Sequence, residues 1–296
     1  RAYVKIQEGC DQFCAYCAIP YARGPLRSRS EQDTIDEINM LVERGYKEVI
    51  LTGIHIGAYG RGVKDETCDL TGLCRRILDE TAIERLRIGS LEGIEVTDAL
   101  IEMIASDERM AKHLHLPLQS GCDRTLSAMR RPYDTEEFRE MMRRIRGKVP
   151  NIAITTDLMV GFPGETDEDF KESLVFCNDI AFSAMHIFKY SMRSGTPAAA
   201  MPDQIDPQIK ERRAKQMADV AQKNKLDYER RFVGQTLRIL VEEQTKDGLW
   251  TGHSSNYLLV TFPGENIRSG DFVDVKITSA ERNRLLGEIE THLEEE

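Results

Sequence analysis

The chain has 296 residues, 30% of them charged and 41% hydrophobic, with 40 Lys and Arg against 50 Asp and Glu for a formal charge of −10. That length suits one barrel-sized domain plus a small appendage, and the composition is that of a globular chain. No apolar stretch reaches membrane-spanning length, and the acidic balance excludes non-specific nucleic-acid binding by bulk charge, so any RNA contact must come from local basic patches.

Short apolar runs at residues 2–7, 48–53, 86–90, 113–118, 152–160 and 186–191 alternate with helical patterns. This predicts parallel strands joined by helices, and six such units favour an α/β fold of the open, partial (βα)6 barrel type over a doubly wound sheet. Ser30 with Asp33 opens a helix whose apolar face is Ile35, Ile38, Leu41 and Val42, and Gly45 ends it. Asp134 with Glu137 and Thr166 with Asp169 mark two further helix starts.

The first strand runs into EGCDQFCAYCAIP, which carries Cys10, Cys14 and Cys17 as C-x3-C-x2-C. Extended, that loop would reach roughly 25 Å, but curled it brings three thiolates onto one small object. A zinc site is disfavoured because it takes four ligands, commonly in paired C-x2-C knuckles, and Cys68, Cys74, Cys122 and Cys177 have no knuckle spacing. Disulfides are weaker still: the cysteine count is seven, and no signal peptide is apparent, so the thiols read as reduced and the localisation as cytoplasmic. The object predicted is a [4Fe-4S] cube with three protein ligands, whose fourth iron is open to a small-molecule chelate.

In α/β barrels the chemistry collects where the strands' C-terminal ends meet their loops. The cysteine loop falls there, as do the loops containing Gly53, Ser90 to Glu92, Gln119 to Cys122 and Gly161 to Glu165. Gly53 and Gly161 are either plain turn residues or points where backbone approaches a cofactor closely. Arg23, Arg27 and Arg29 are either a solvated face or contacts for a cofactor carboxylate or RNA phosphate. His55, His113, His115 and His186 read as packed or hydrogen-bonded strand residues rather than ligands and receive no role.

Beyond Pro202 the texture changes. Residues 207–231 read as a charged closing or linking helix with Ile209, Met217, Val220 and Leu226 at helical spacing. Alternation at Leu237, Ile239 and Val241, an apolar run at 257–262, and alternation at Val273, Val275 and Ile277 predict a small antiparallel barrel. The division is therefore residues 1–230 and 231–296. From Arg231 onward there are seven Lys or Arg against twelve Asp or Glu, a net charge of −5, so bulk charge gives the tail no RNA affinity.

The cysteine loop, with Phe13 and Tyr16 between its thiols, resembles that of radical S-adenosylmethionine (SAM) enzymes. The resemblance implies that the open iron binds the amino and carboxylate groups of SAM, whose reductive cleavage gives a 5′-deoxyadenosyl radical, and that Glu92, otherwise a solvated carboxylate, hydrogen-bonds the SAM ribose. The tail resembles the TRAM domain, an OB-like barrel that binds RNA, though a purely rigidifying role stays open. Together with LTGIHIGAYG, HLHLPLQSGCDRTLSAMRRPY and TTDLMVGFPGETDEDF, the whole chain resembles the methylthiotransferases. GIHIGAYG and QSGCD are most similar to the branch that adds a methylthio group to carbon 2 of N6-threonylcarbamoyladenosine at position 37 of tRNA.

That resemblance implies the tRNA anticodon stem-loop and a reducing electron donor such as flavodoxin or ferredoxin as partners, with no membrane. It also implies a preceding domain of about 140 residues that holds a second [4Fe-4S] cluster on three more cysteines. Residue 1 falls on the strand feeding the cysteine loop, so the expectation is a fragment that cleaves SAM without completing methylthiolation. Alternatives are a methylthiotransferase acting on isopentenyladenosine tRNA or ribosomal protein S12, or an RNA-binding protein with a structural or sensing cluster.

Overall fold

The computed structural model describes residues 1–61, 68–282 and 284–290. Its larger part is a half-open barrel of parallel strands in chain order: β1 (Ala2–Lys5), β2 (Glu48–Thr52), β3 (Arg85–Ile88), β4 (His113–His115), β5 (Ala153–Val160) and β6 (Ala184–Lys189). The bridges Leu86↔Met110 and Ser90↔His115 join β3 to β4. Each strand carries its apolar side chains on the outer face: Val4, Val49, Leu51, Leu86, Ile88, Leu114, Ile154 and Leu158 are fully or almost fully buried in one core with the helices. Burying one such side chain contributes about 1.5–3 kcal/mol, and that is what holds the helices against the sheet. The inner face carries polar side chains such as Arg87, His115, Asp157 and His186, interspersed with Met159 and Phe188.

The helix signals in the sequence are realised. Ser30 caps Glu31–Glu43, and both Asp134 and Thr166 form reciprocal capping boxes, with Glu137 and Asp169. All six strands are found, with bounds that differ from the pattern: β1, β2, β4 and β6 end one to three residues earlier, β5 starts one later, β3 spans Arg85–Ile88 and β6 begins at Ala184. Arg85 reads as a loop residue in sequence because its charge is compensated only in three dimensions.

Helix Pro207–Arg230 packs Met217 into the main core and carries Tyr228 into a second core made by the C-terminal strands. Those strands, β7 (Thr236–Gln244), β8 (Trp250–Ser254), β9 (Leu259–Phe262), β10 (Phe272–Glu281) and β11 (Arg284–Ile289), close in the order β8-β9-β11-β10-β7. The expectation of an all-antiparallel barrel is corrected at one seam, where β9 and β11 run parallel with Val260 opposite Leu285. A closed ring with an odd number of strands cannot be antiparallel at every seam.

This small barrel plugs the N-terminal end of the large one. Glu48, 0% exposed, accepts from Arg85 at 3.2 Å and Arg87 at 3.0 Å. The same guanidinium groups donate to the carbonyls of His253 (3.1 Å), Arg238 (2.9 Å), Ser255 (3.0 Å) and Ser254 (3.2 Å). Tyr257 stacks between His113 and His253, with ring centroids 4.9 and 4.6 Å away. The open mouth lies at the opposite end, beside the cysteine loop.

Candidate active site

The cysteine loop is held from several sides. Gln7, buried at the end of β1, donates to Glu8 O (2.7 Å) and Gly9 O (3.0 Å) and accepts from the N–H groups of Ile54 (3.2 Å) and His55 (2.7 Å), stapling this loop to the one after β2. Gly9 has φ +78°, and a Cβ there would lie 1.9 Å from Pro25 O, so only glycine lets the two backbone segments cross. Further along, Ala15 N–H donates to Met129 O at 2.9 Å, and Ala15 O accepts from Ala198 N–H at 2.8 Å.

Each of the three sulfurs has an N–H group aimed at it. Gln12 N–H lies 3.4 Å from Cys10 Sγ, Ile19 N–H 3.4 Å from Cys17 Sγ, and the Arg131 guanidinium 3.2 Å from Cys14 Sγ. Burial, and then the neighbouring Cys14 and Cys10 sulfurs, push the Cys17 thiol up, while Ile19 N–H opposes them. Three thiols close enough to repel one another as thiolates, each facing a donor, fit an iron–sulfur cluster: bound cations relieve the repulsion, and N–H donors are what cluster sulfurs accept. The other cysteines do not join them. Cys74 and Cys177 are buried and pushed up to about 12, and Cys122, near Asp169, to about 11. Cys68, pushed up to about 11, hydrogen-bonds Asp69 O.

Two residues without a sequence assignment complete this surround. His55 is buried with Nδ1 3.9 Å from Cys10 Sγ and 3.4 Å from Asp11. Its Nε2 lies 2.8 Å from buried Glu95, close enough for an ion pair though poorly aligned for a hydrogen bond. Burial disfavours charge on His55, but its contacts with Cys10 and Glu95 outweigh that and push the imidazole up to about 10. Arg131, its side chain 2% exposed, also pairs with Glu92 and donates to Tyr133 Oη at 3.0–3.1 Å. Both residues lie far from the cysteines in sequence, though each sits inside a quoted motif, His55 in LTGIHIGAYG and Arg131 in HLHLPLQSGCDRTLSAMRRPY.

The other expected site residues are placed as follows. Glu92 lies at the mouth, and its carboxylate accepts from Arg131. A Cβ on Gly53 would lie 2.7 Å from Ile56 Cγ2 and 2.8 Å from Gln7 O, so its smallness serves the junction of the two loops. Gly161 has φ +71° and donates at 2.6 Å to Glu165, itself paired with Arg213 at 2.8 Å. Arg23 pairs with Glu8 at 3.6 Å, Arg29 pairs with Glu37, and Arg27 donates to Arg23 O at 3.2 Å, so all three have local partners.

The radical SAM superfamily profile matches residues 4–177, which include all three cysteines and most of the half-barrel. The chain belongs to the radical SAM superfamily. A TRAM domain profile matches residues 230–289, the five-stranded barrel. Among curated relatives, the threonylcarbamoyladenosine tRNA methylthiotransferase MtaB of Bacillus subtilis is 40% identical over 95% of this chain and 63% of its own length. A tRNA-2-methylthio-N(6)-dimethylallyladenosine synthase of Desulforamulus reducens is 40% identical over 98% of this chain and 63% of its own length. The chain thus spans just under two thirds of these relatives. Among solved structures, the radical SAM enzyme HemN of Escherichia coli superposes with a TM-score of 0.53 at 14% identity, covering 93% of this chain and 66% of HemN. TsrM of Kitasatospora setae gives 0.55 at 16%, covering 67% of this chain and 38% of TsrM. At those identities the likeness is one of fold. Superfamily membership carries a [4Fe-4S] cluster and SAM as cofactors, which the three donor-faced cysteines fit.

Proposed function

We propose that this radical SAM chain is the catalytic part of a tRNA methylthiotransferase that replaces the hydrogen on carbon 2 of N6-threonylcarbamoyladenosine with a methylthio group. The observation that carries the reading is the pairing, in one chain, of a three-cysteine loop at the barrel mouth with a TRAM barrel docked on the opposite end, the two profiles that the 40% identical methylthiotransferases span. When bound, the cluster and SAM supply the radical that opens the carbon–hydrogen bond. The chain's own contribution is to hold the cluster through Cys10, Cys14 and Cys17. Arg131 and His55 place positive charge beside two of those sulfurs, and the buried apolar group of Ala15, Met129, Phe162 and Tyr190 keeps water from behind the loop. Gly53, Glu92 and Gly161 are proposed to line the SAM site, with Glu92 held in place by Arg131.

The partners proposed are the tRNA anticodon stem-loop and a low-potential donor of the flavodoxin or ferredoxin type. Residues 1–230 would form the catalytic domain and 231–296 the RNA-facing one; 62–67 of the first and 283 and 291–296 of the second lie outside the described residues. The equal identity of the dimethylallyladenosine synthase keeps that substrate as a second reading. The test is anaerobic reconstitution of the full-length protein with SAM, a reductant and tRNA bearing either modification. Nucleoside mass spectrometry should show the threonylcarbamoyl product gaining one methylthio group in place of hydrogen. SAM cleavage without product on either tRNA would refute the methylthiotransferase reading.

A further inference from the structure

Midway along the inner face of the half-barrel, between the plug at one end and the cysteine loop at the other, three polar side chains from adjacent strands converge. They are His115 on β4, Asp157 on β5 and His186 on β6, with one ligand atom of each within 4.8 Å of the others. His115 Nε2 lies 3.4 Å from Asp157 Oδ1, and its Nδ1 is fixed by Thr155 Oγ1 at 2.9 Å, which sets the ring so that Nε2 faces Asp157. Strand alternation establishes the direction: Leu114, Leu116, Ile154 and Leu158 enter the outer core, and Met185 and Ile187 pack against it, so residues 115, 157 and 186 point inward.

The depth is set by neighbours on the same face. Toward the plug, His113 stacks on Tyr257. Toward the mouth, Met159 packs with Ala15 and Tyr16 of the cysteine loop, one same-face step of about 6.6 Å from Asp157. Phe188, one such step from His186, is 52% exposed, an aromatic face turned to the barrel interior with no ring partner among the described residues.

We infer that His115, Asp157 and His186 form the subsite for the N6 substituent of the modified adenosine, and that they select a polar substituent bearing both hydrogen-bond donors and acceptors over an apolar one. This rests on the tRNA methylthiotransferase reading. The carboxylate of Asp157 accepts from ureido N–H or hydroxyl groups, and the imidazoles supply donors to carbonyl or carboxylate oxygens. Phe188 offers a stacking face to the purine. A dimethylallyl group in the same place would strip water from all three side chains and pair with none of them. A site built to hydrogen-bond its substrate rejects an analogue lacking those groups by about 10⁴-fold or more, whereas an apolar pocket discriminates far less.

The test compares wild type, His186→Phe and Asp157→Leu in reconstituted full-length protein, on tRNA carrying threonylcarbamoyladenosine and on tRNA carrying dimethylallyladenosine. Cluster absorbance serves as the folding control. Wild type should prefer the threonylcarbamoyl substrate, and each variant should lose about 10²-fold or more in kcat/KM on it while losing nothing on the dimethylallyl substrate. Equal losses on both substrates, no loss at all, or a wild-type preference for dimethylallyl would overturn the inference while leaving methylthio transfer intact. So would a divalent ion bound one-to-one and lost in Asp157→Asn. If no product forms on either tRNA, the parent reading fails, and calorimetry with the two free nucleosides still decides the subsite: tighter threonylcarbamoyladenosine binding, lost in His186→Phe, supports it, and indifference refutes it.

Discussion

Replacing Glu48 by Gln should loosen the joint between the two barrels. Glu48 is fully buried and neutralises two nearly buried guanidinium groups, Arg85 and Arg87, with Arg1 4.0 Å away. Burial alone would raise its carboxyl, but Arg87 and Arg85 hold it below the usual carboxylate range, so it is ionised in the folded chain. Breaking a buried pair by removing one charge costs about 3–5 kcal/mol, because the partner charge stays buried. Here the arginines keep their four carbonyl acceptors on the small barrel, which places the expected loss near 3 kcal/mol. At about 2–3 °C per kcal/mol for a chain of this size, Tm should fall by about 6–9 °C. Circular dichroism measures Tm, and the fluorescence of the single tryptophan, Trp250, reports the small barrel separately. The double variant Glu48→Gln with Arg87→Met should recover part of the loss, since it removes the stranded charge. A fall under about 2 °C, or a double variant less stable than the sum of the singles, would refute the reasoning.

The joint should also be acid-sensitive. Burial, followed by Arg1 and Arg87, lowers His253 to about 4 against an ordinary 6.5, so the unfolded chain binds the proton more tightly and stability falls as pH drops from about 6.5 toward 4. The ceiling is about 3 kcal/mol, and His253→Gln should flatten that limb of a Tm-against-pH curve; an unchanged slope would exclude His253 as its source. Gly9→Ala should abolish cluster incorporation, measured as iron per chain, because its Cβ would strike Pro25 O in a left-handed backbone that costs about 1–2 kcal/mol even without the clash. Arg131→Met should leave the half-buried Glu92 without its cation and remove the donor to Cys14, so the reduced cluster's electron paramagnetic resonance signal should shift or disappear. Cys10→Ala, Cys14→Ala and Cys17→Ala should each lose the cluster's visible absorbance, while Cys177→Ala keeps it.

The sequence by itself determined the elements that local chemistry controls. Period-two and helical apolar patterns located six barrel strands, because one face of each is buried. Capping pairs such as Asp134 with Glu137 located helix starts, because those bonds span only three residues. The three cysteines could be proposed together as one ligand set, because all lie on one loop. What only the tertiary structure decided are the contacts between residues far apart in the chain. Nothing in the sequence around Arg85, Arg87 and Glu48 signals that folding buries them together under the second barrel. Arg131 meets Cys14 across 117 residues, and His115, Asp157 and His186 share a face only because three separate strands lie in register. The physical reason is the same in each case: a charged or polar side chain carries no periodic signal, and its partner is chosen by the fold, not by its neighbours in sequence.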